Sequence, residues 1–537
     1  MKKILFCLLV LFGLIATLNL WHTGYPITHD GDVHLIRLTN FYQSLSEGIF
    51  IPRWAANVNW GYGQPIFEFF YPLPSYLASL LHFLGLSFAD SLKLLLGLSI
   101  VGSGITMYLW LRRLSSNIGS FFGAFLYMYA PYRFVDVYVR GDVGESLALV
   151  FVPLILYFLS FVGIKKSKYP VLLSGIFLAL LILCHNIVSL VSLPFILFYG
   201  IYLWLENKKK KEILIKFVIS IAIGFLLSSF FWLPGLFEAK YTLKDIVTKG
   251  EYASRFVSLW QIFYGPWSYG GTGSFTVQLG IVQWVVVGLS LFLYKFTKLK
   301  LMVVSLIIYT AASIFLMLPV SNFVWSKILL LQNFQFPWRF LIVTIFSTSV
   351  LGAILIDNFP RKIKIGFVIF AVIVCFIFQY QYMHAKAYEK RPDNTYAGIF
   401  KGPADTGESS PIWGIRFMES GYKNPLEVLS GKAVINQTKR TTIRHEYVVD
   451  AKVKSRLLEN TLYFPGWNIY VDNTPVNIEF QDEMHRGVMT FWVTPGKHSI
   501  VVKFEATKFR RVADLITLIS IIVVLILFLP FPKKFKI

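Results

Sequence analysis

Charge is scarce in this chain. Only 15% of its 537 residues are Asp, Glu, Lys or Arg, against about 25% in a typical soluble domain, which argues against a soluble protein throughout. Cysteine is scarcer still. Cys7, Cys184 and Cys375 are the only three, and each lies within an apolar run, which excludes a disulfide framework and a cysteine metal site. Acidic residues number 29 against 51 basic ones, a net charge of +22. The basic excess sits in short clusters between apolar runs, as the positive-inside bias produces, so nucleic acid is not the expected partner. No small-residue cleavage site precedes Trp21, so the N-terminal apolar run is expected to remain as a first helix.

What is abundant is apolar: 55% of residues are hydrophobic and 17% aromatic. Apolar runs fall near 4–22, 89–111, 118–131, 146–163, 169–185, 187–205, 213–234, 276–294, 299–318, 338–357, 365–380 and 512–531. Several reach the roughly 20 residues that cross a bilayer. Between them lie Arg112-Arg113, Lys165-Lys166 with Lys168, Lys208 to Lys211, Lys295 with Lys298 and Lys300, Arg361-Lys362 with Lys364, and Lys533-Lys534. Starting inside at Lys2-Lys3 and flipping side at each run puts every cluster in the cytoplasm. Both termini are then cytoplasmic, in a multi-pass protein of the cell membrane. Counting 66–87 as a further span would send Arg112-Arg113 outside. That stretch is therefore expected to lie at the outer interface or dip partly inward, as a helix beginning at Pro72 or Pro74.

The expected fold class is a polytopic α-helical membrane protein of about twelve transmembrane helices with a C-terminal extracytoplasmic antiparallel β domain. The membrane domain spans 1–380, with outward loops at 23–88, 132–145, 235–275 and 319–337. The β domain spans 381–511, tethered by helices at both ends, and 512–537 form a last transmembrane helix and basic tail. Strand-like alternation at Glu446 to Val453, Val476 to Phe480 and Ser499 to Phe504, with turn signals at Asp472-Asn473 and Pro495-Gly496, carries the β reading.

Candidate chemistry collects in the outward loops. His29, Asp30, Asp32 and His34 follow the first run; Asp and His there suit a general base or a divalent cation. Gly31 could let the chain turn so that Asp30 and Asp32 share one centre. The alternative is structural: Asp30 caps a helix starting near Asp32. Arg37 would meet a phosphate, or pair with Glu47 or a lipid headgroup. In the second loop Arg133, Asp136, Arg140, Asp142 and Glu145 crowd into 13 residues. Charges this near hydrocarbon are functional candidates, and arginine matches phosphate geometry; Arg–carboxylate pairing for stability is the other reading. His185 is either a hydrogen-bonded helix cap or a catalytic group, and Arg339 a lipid anchor or a phosphate ligand.

The stretches HDGDVHLIR at 29–37, GIFIPRWAANVNWGYGQPIFEFFYPLP at 48–74, YRFVDVYVRGDVGE at 132–145, CHN at 184–186, FPWRFL at 336–341 and FPGWNIYVDN at 464–473 carry a resemblance. The chain resembles the GT-C superfamily of integral membrane glycosyltransferases. More closely, it resembles the bacterial and archaeal membrane proteins named for a 6-pyruvoyl-tetrahydropterin synthase-related domain and the related YfhO-type proteins. The sequence offers no convincing zinc-binding histidine set for pterin-synthase activity. The resemblance implies transfer of a sugar from a polyprenyl-phosphate carrier at the outer membrane face. It implies an acidic catalytic group at Asp30, with Asp32 as runner-up, and further acids at Asp136 or Glu145. Arg37, Arg140 or Arg339 would bind the donor phosphate. His29, His34, His185 and Trp267, the last in the aromatic run FYGPWSYGGTGSF at 263–275, would support the site or line an acceptor groove. A cation such as Mg²⁺ or Mn²⁺, if used, would fall to Asp30 and Asp32. The implied partners are membrane lipid, the lipid-linked sugar, and a glycan, cell-wall polymer or protein acceptor. The rival reading is a non-catalytic transporter or assembly factor for lipid-linked surface polymers.

Overall fold

A computed structural model describes residues 2–164, 167–271 and 274–529. Lys165-Lys166, Lys533-Lys534 and two residues of the aromatic run, 272–273, fall outside the described residues.

Among the described residues, seven helices are long and apolar enough to cross a membrane, and the pair Lys210–Leu227 and Ser229–Phe237, bent by 71°, makes an eighth if it is counted as one span. Shorter apolar helices run Val143–Leu159, Tyr169–Cys184 and Ile281–Phe292, and the 118–131 run forms Asn117–Met128. Local chemistry sets their starts. The Ser87 hydroxyl accepts from the Asp90 amide and the Ser116 hydroxyl from Gly119, satisfying amides that a helix start leaves unpaired. Pro170 occupies the first turn of Tyr169–Cys184, where its missing N–H costs nothing. The span Pro337–Asp357 lies at the bundle centre, with 94% of its apolar window buried, whereas Lys508–Phe528 lies at the rim with 17%. The central helix is rich in Thr344, Ser347, Thr348, Ser349, Gly352 and Ala353, all buried; small residues let neighbouring helices approach closely.

The 66–87 stretch forms a short helical turn, Ile66–Phe69, and then Leu73–Phe83, with Pro72 at the cap and Pro74 in the first turn. Those 11 residues reach only about 16 Å at 1.5 Å per residue, half a bilayer core.

The C-terminal β region is antiparallel. β1 (Tyr25–Pro26) pairs with β2 (Tyr388–Glu389). Further on come β3 (Leu426–Ser430), β4 (Ala433–Arg440), β5 (Arg444–Ala451), β6 (Ser455–Leu462), β7 (Trp467–Val471), β8 (Thr474–Val476), β9 (Val488–Val493) and β10 (Gly496–Phe504). They form two sheets, ordered β4-β5-β10-β7-β8 and β3-β6-β9. The β7–β8 hairpin turns on Asp472 and Asn473, at φ 50° and 65°, the left-handed pair a two-residue hairpin needs. The alternation around Val476 to Phe480 gives only the end of β8 and an isolated bridge, Glu479 to Thr490.

Terminal tethers are not all that holds this region. Trp54 from the first polar loop is 1% exposed inside the β core and meets Trp467 edge-on at 5.3 Å. The Gln64 amide donates to Asp405 at 2.9 Å and Arg37 Nε to the Ala404 carbonyl at 2.6 Å. The last helix joins through buried charge. Arg53 bridges Glu68 at 3.0 Å and Asp514 at 2.5 Å, while Arg510 donates to Glu238 at 2.5 Å. Three regions far apart in sequence thus form one polar face.

Candidate functional site

The site grows from a local irregularity. Residues Val135–Arg140 form a wide π-turn, closed by Gly141 in the left-handed conformation at φ 71°; such turns recur at functional sites. Asp142 then caps the helix Val143–Leu159, its Oδ1 accepting from the Glu145 amide at 2.9 Å. The turn and cap together aim Asp136, Arg140, Asp142 and Glu145 at one point.

Arg140 is the centre. Its Nη1 donates to Asp136 Oδ1 at 2.6 Å, to Glu145 Oε2 at 2.8 Å and to the Tyr132 hydroxyl at 3.0 Å, and its Nη2 to Asp142 Oδ2 at 2.9 Å. Tyr132 donates to Glu145 Oε1 at 2.6 Å, and Tyr71 to Asp142 Oδ1 at 3.1 Å. Asp136 and Glu145 are fully buried. Tyr71 reaches Asp142 because Gly144 has no side chain: a Cβ there would lie 2.1 Å from the Tyr71 ring. Arg133, also fully buried, adds its field to Asp136 and Glu145, and Arg339 Nε lies 3.8 Å from Glu145.

The first polar loop docks on this cluster through backbone. The His29 amide donates to the Val139 carbonyl at 2.9 Å and the Asp30 amide to the Arg140 carbonyl at 2.8 Å. This requires Thr28 to sit on Gly141, where a Cβ would come 2.3 Å from the Thr28 hydroxyl. Gly141→Ala is therefore expected to lose at least the roughly 1–2 kcal/mol of a left-handed L-residue. The loss would be read as a lowered unfolding midpoint; an unchanged midpoint would show the position to be unconstrained.

Asp30 stands at the start of the helix Gly31–Ser46, but its side chain makes no capping bond. The carboxylate is not spent on the helix, so the capping alternative does not describe it. It is half-buried. Burial raises its pKa above the ordinary carboxylate value, Arg140 and Arg37 pull it down, and Asp142 adds to the rise.

Asp32 goes elsewhere. It is exposed and ion-paired to Arg391 at 3.0 Å, beside β2. Of the Asp30–Asp32 pair expected to hold a cation, Asp32 is thus engaged by an arginine. Among the described residues, the groups whose ligand atoms lie within 4.8 Å of one another are Asp142, Glu145 and His185. His185 does cap its helix: Nδ1 accepts from the Val188 amide at 3.2 Å, and Nε2 faces Asp142 at 3.7 Å.

The remaining predicted residues line the same face. His34 is buried against Phe70, and burial, with the Arg37 charge adding, holds it neutral, its pKa pushed down to about 3. Arg37 lies over the Phe70 ring at 3.7 Å, with Nε on the Ala404 carbonyl. Arg339 donates from Nη1 to the Phe334 carbonyl at 2.9 Å, and its Nε has no hydrogen-bond partner among the described residues. His29 is exposed, with Nε2 3.3 Å from the Tyr269 carbonyl. Trp267 stacks on Tyr382 at 4.5 Å, and Phe275 of the same run lies 5.8 Å from the His29 ring.

The sequence did not single out the Tyr71 and Tyr132 phenols, nor a further acid. Glu408 accepts from the Gln335 amide at 2.6 Å and lies in the fields of Arg339 and Arg37. Its stretch, GPADTGESSP at 402–411, carries turn signals but nothing local that points toward a site built by residues 30–145.

A multi-pass helical bundle thus carries a charged cluster with a β region packed against its outer loops. The fold is similar to that of the oligosaccharyltransferase AglB from Archaeoglobus fulgidus, solved with an inhibitory peptide and a dolichol-phosphate. The TM-score is 0.50 at 12% identity, over 76% of this chain and 61% of that one. Two further similar structures are the arabinofuranosyltransferase AftD from Mycobacteria (TM-score 0.46, 13% identity, 71% and 27% covered) and ArnT from Cupriavidus metallidurans bound to undecaprenyl phosphate (0.42, 13%, 73% and 67%). The chain belongs to the membrane-protein family described as 6-pyruvoyl-tetrahydropterin synthase related domain, whose model matches residues 67–384, more than half of the chain. An uncharacterized protein of Lactococcus lactis subsp. cremoris (strain MG1363) is 26% identical over 254 residues, 45% of this chain and 41% of the relative; the match thus spans under half of that relative's length.

Proposed function

We propose that this protein transfers a sugar from a polyprenyl-phosphate-linked donor to a cell-surface acceptor at the extracytoplasmic face of the membrane. The observation that carries the reading is the uncapped Asp30 carboxylate, held by backbone bonds against the arginine-centred cluster. In this reading Asp30 takes the proton of an acceptor hydroxyl as its oxygen attacks the anomeric carbon. The sugar–phosphate C–O bond breaks, and polyprenyl phosphate leaves with the bonding pair. General-base help of this kind contributes about 10²–10⁴-fold, and cations facing the leaving oxygen stabilise its charge.

The arginines divide this work unequally. Arg140 is held by three carboxylates, so its charge is already answered. Arg339 Nε makes no hydrogen bond among the described residues and has a single carboxylate, Glu145, at 3.8 Å, while Arg37 donates to the Ala404 carbonyl through Nε. These two are the phosphate ligands of the proposal. The aromatic run around Trp267 supplies a face for the acceptor.

The test is sugar release or transfer by the purified protein from a panel of polyprenyl-phosphate sugars, with Asp30→Asn alongside. Transfer by the wild type alone supports the reading. Equal transfer by both removes Asp30 from catalysis, and no transfer from any donor by folded protein favours the transport or assembly reading. Orientation is checked separately: Asn473→Cys, on the exposed β7–β8 turn, is expected to react with a membrane-impermeant maleimide added to intact cells. Labelling only after lysis would invert the topology.

A further inference from the structure

Asp142, Glu145 and His185 are spaced as if for a divalent cation, their ligand atoms all within 4.8 Å of one another. The residues do not fit such an ion. Oxygen ligands hold Mg²⁺ or Ca²⁺ at about 2.0–2.6 Å, but the facing oxygens Glu145 Oε2 and Asp142 Oδ2 are already bridged by the Arg140 guanidinium at 2.8 and 2.9 Å. An ion between them would meet a fixed positive group at contact distance. His185 is also committed. A neutral imidazole has one N–H, and because Nδ1 accepts from the Val188 amide, the proton sits on Nε2, which then points an N–H, not a lone pair, at Asp142. Pairing gives the same answer. All three carboxylates, Asp136, Asp142 and Glu145, already pair with the one Arg140 guanidinium, which holds the central position that a cation would take.

We propose that Arg140 is a resident organic cation occupying the place of a divalent metal in this chain, binding its acids together and making the site metal-independent. Its planar fork suits the role, since one guanidinium presents several fixed donors to more than one carboxylate. The inference concerns the same cluster but does not rest on the transfer reading.

The experiment is binding, not activity. Purified wild-type protein is titrated with Mn²⁺ and free ion is followed by electron paramagnetic resonance, beside Asp142→Asn. The expected result is no one-to-one site that Asp142→Asn weakens. A stoichiometric wild-type site weakened tenfold or more by Asp142→Asn would overturn the proposal. Arg140→Ala, which frees the carboxylates, is expected to gain a one-to-one Mn²⁺ site at least tenfold tighter than any in the wild type. Added Mn²⁺ would then raise the unfolding midpoint of Arg140→Ala but not that of the wild type, as binding to the folded state alone requires. A folded Arg140→Ala that gains no Mn²⁺ binding would also overturn the proposal. Should that variant fail to fold, the wild-type titration decides alone. If the binding pattern holds and no donor is turned over, the transfer reading fails and this one stands.

Discussion

Asp30→Asn is expected to lower transfer from a lipid-linked donor by about 10²–10⁴-fold, the range a positioned general base contributes, with the unfolding midpoint nearly unchanged. The two halves of this expectation have separate causes. Asn matches Asp in size, and the position makes no capping bond and is fixed through its backbone amide on Arg140, so the fold loses little. What disappears is the group that accepts the proton. A rate loss accompanied by an equal loss of folded protein would mean that Asp30 is structural. The pH profile gives an independent check. Burial lifts the Asp30 carboxyl above its ordinary value against the pull of Arg140 and Arg37. The working form is the carboxylate, so the rate falls as pH drops through this raised pKa. The acid limb of kcat/KM should therefore lie above the range of a solvated aspartate, and a limb at the ordinary value would contradict the assignment.

The second large effect is on stability. Arg140→Gln is expected to cost about 3–5 kcal/mol, the usual consequence of removing one partner from a buried ion pair. Here the partner left behind is three carboxylates, two of them fully buried. Arg140→Lys should fall between Gln and wild type, because a compact ammonium keeps the charge but lacks the planar fork that meets several acids at once. Chemical unfolding in detergent, followed by tryptophan emission, would rank the three proteins. Equal midpoints would show that the acids find other partners or take up protons at little cost.

Much of the architecture was legible from the chain. Apolar runs mark the helices, because crossing hydrocarbon needs length and backbone hydrogen bonds closed within the segment. Pro72 and Pro74 mark the start of the short helix Leu73–Phe83, and Asp472-Asn473 the hairpin. The crowding of Arg140, Asp142 and Glu145 also announced itself, since charges in a short loop between apolar runs need partners.

The pairings within the site were not legible, and particular residues show why. Asp30 and Asp32 look equivalent in sequence, yet one lies against Arg140 and the other on Arg391, 359 positions away. The difference follows from β1 pairing with β2, a contact that no local period encodes. Glu408 and Gln335 meet across 73 positions, and Trp54 enters the core of a β region that begins hundreds of residues later. The sequence by itself determined the membrane bundle, the β region and the two acid-bearing loops, because hydrophobic length, alternation and turn residues act over one element at a time. The tertiary structure alone decided which carboxylate is free and which are held by Arg140, because those outcomes depend on distances between segments that only packing brings together.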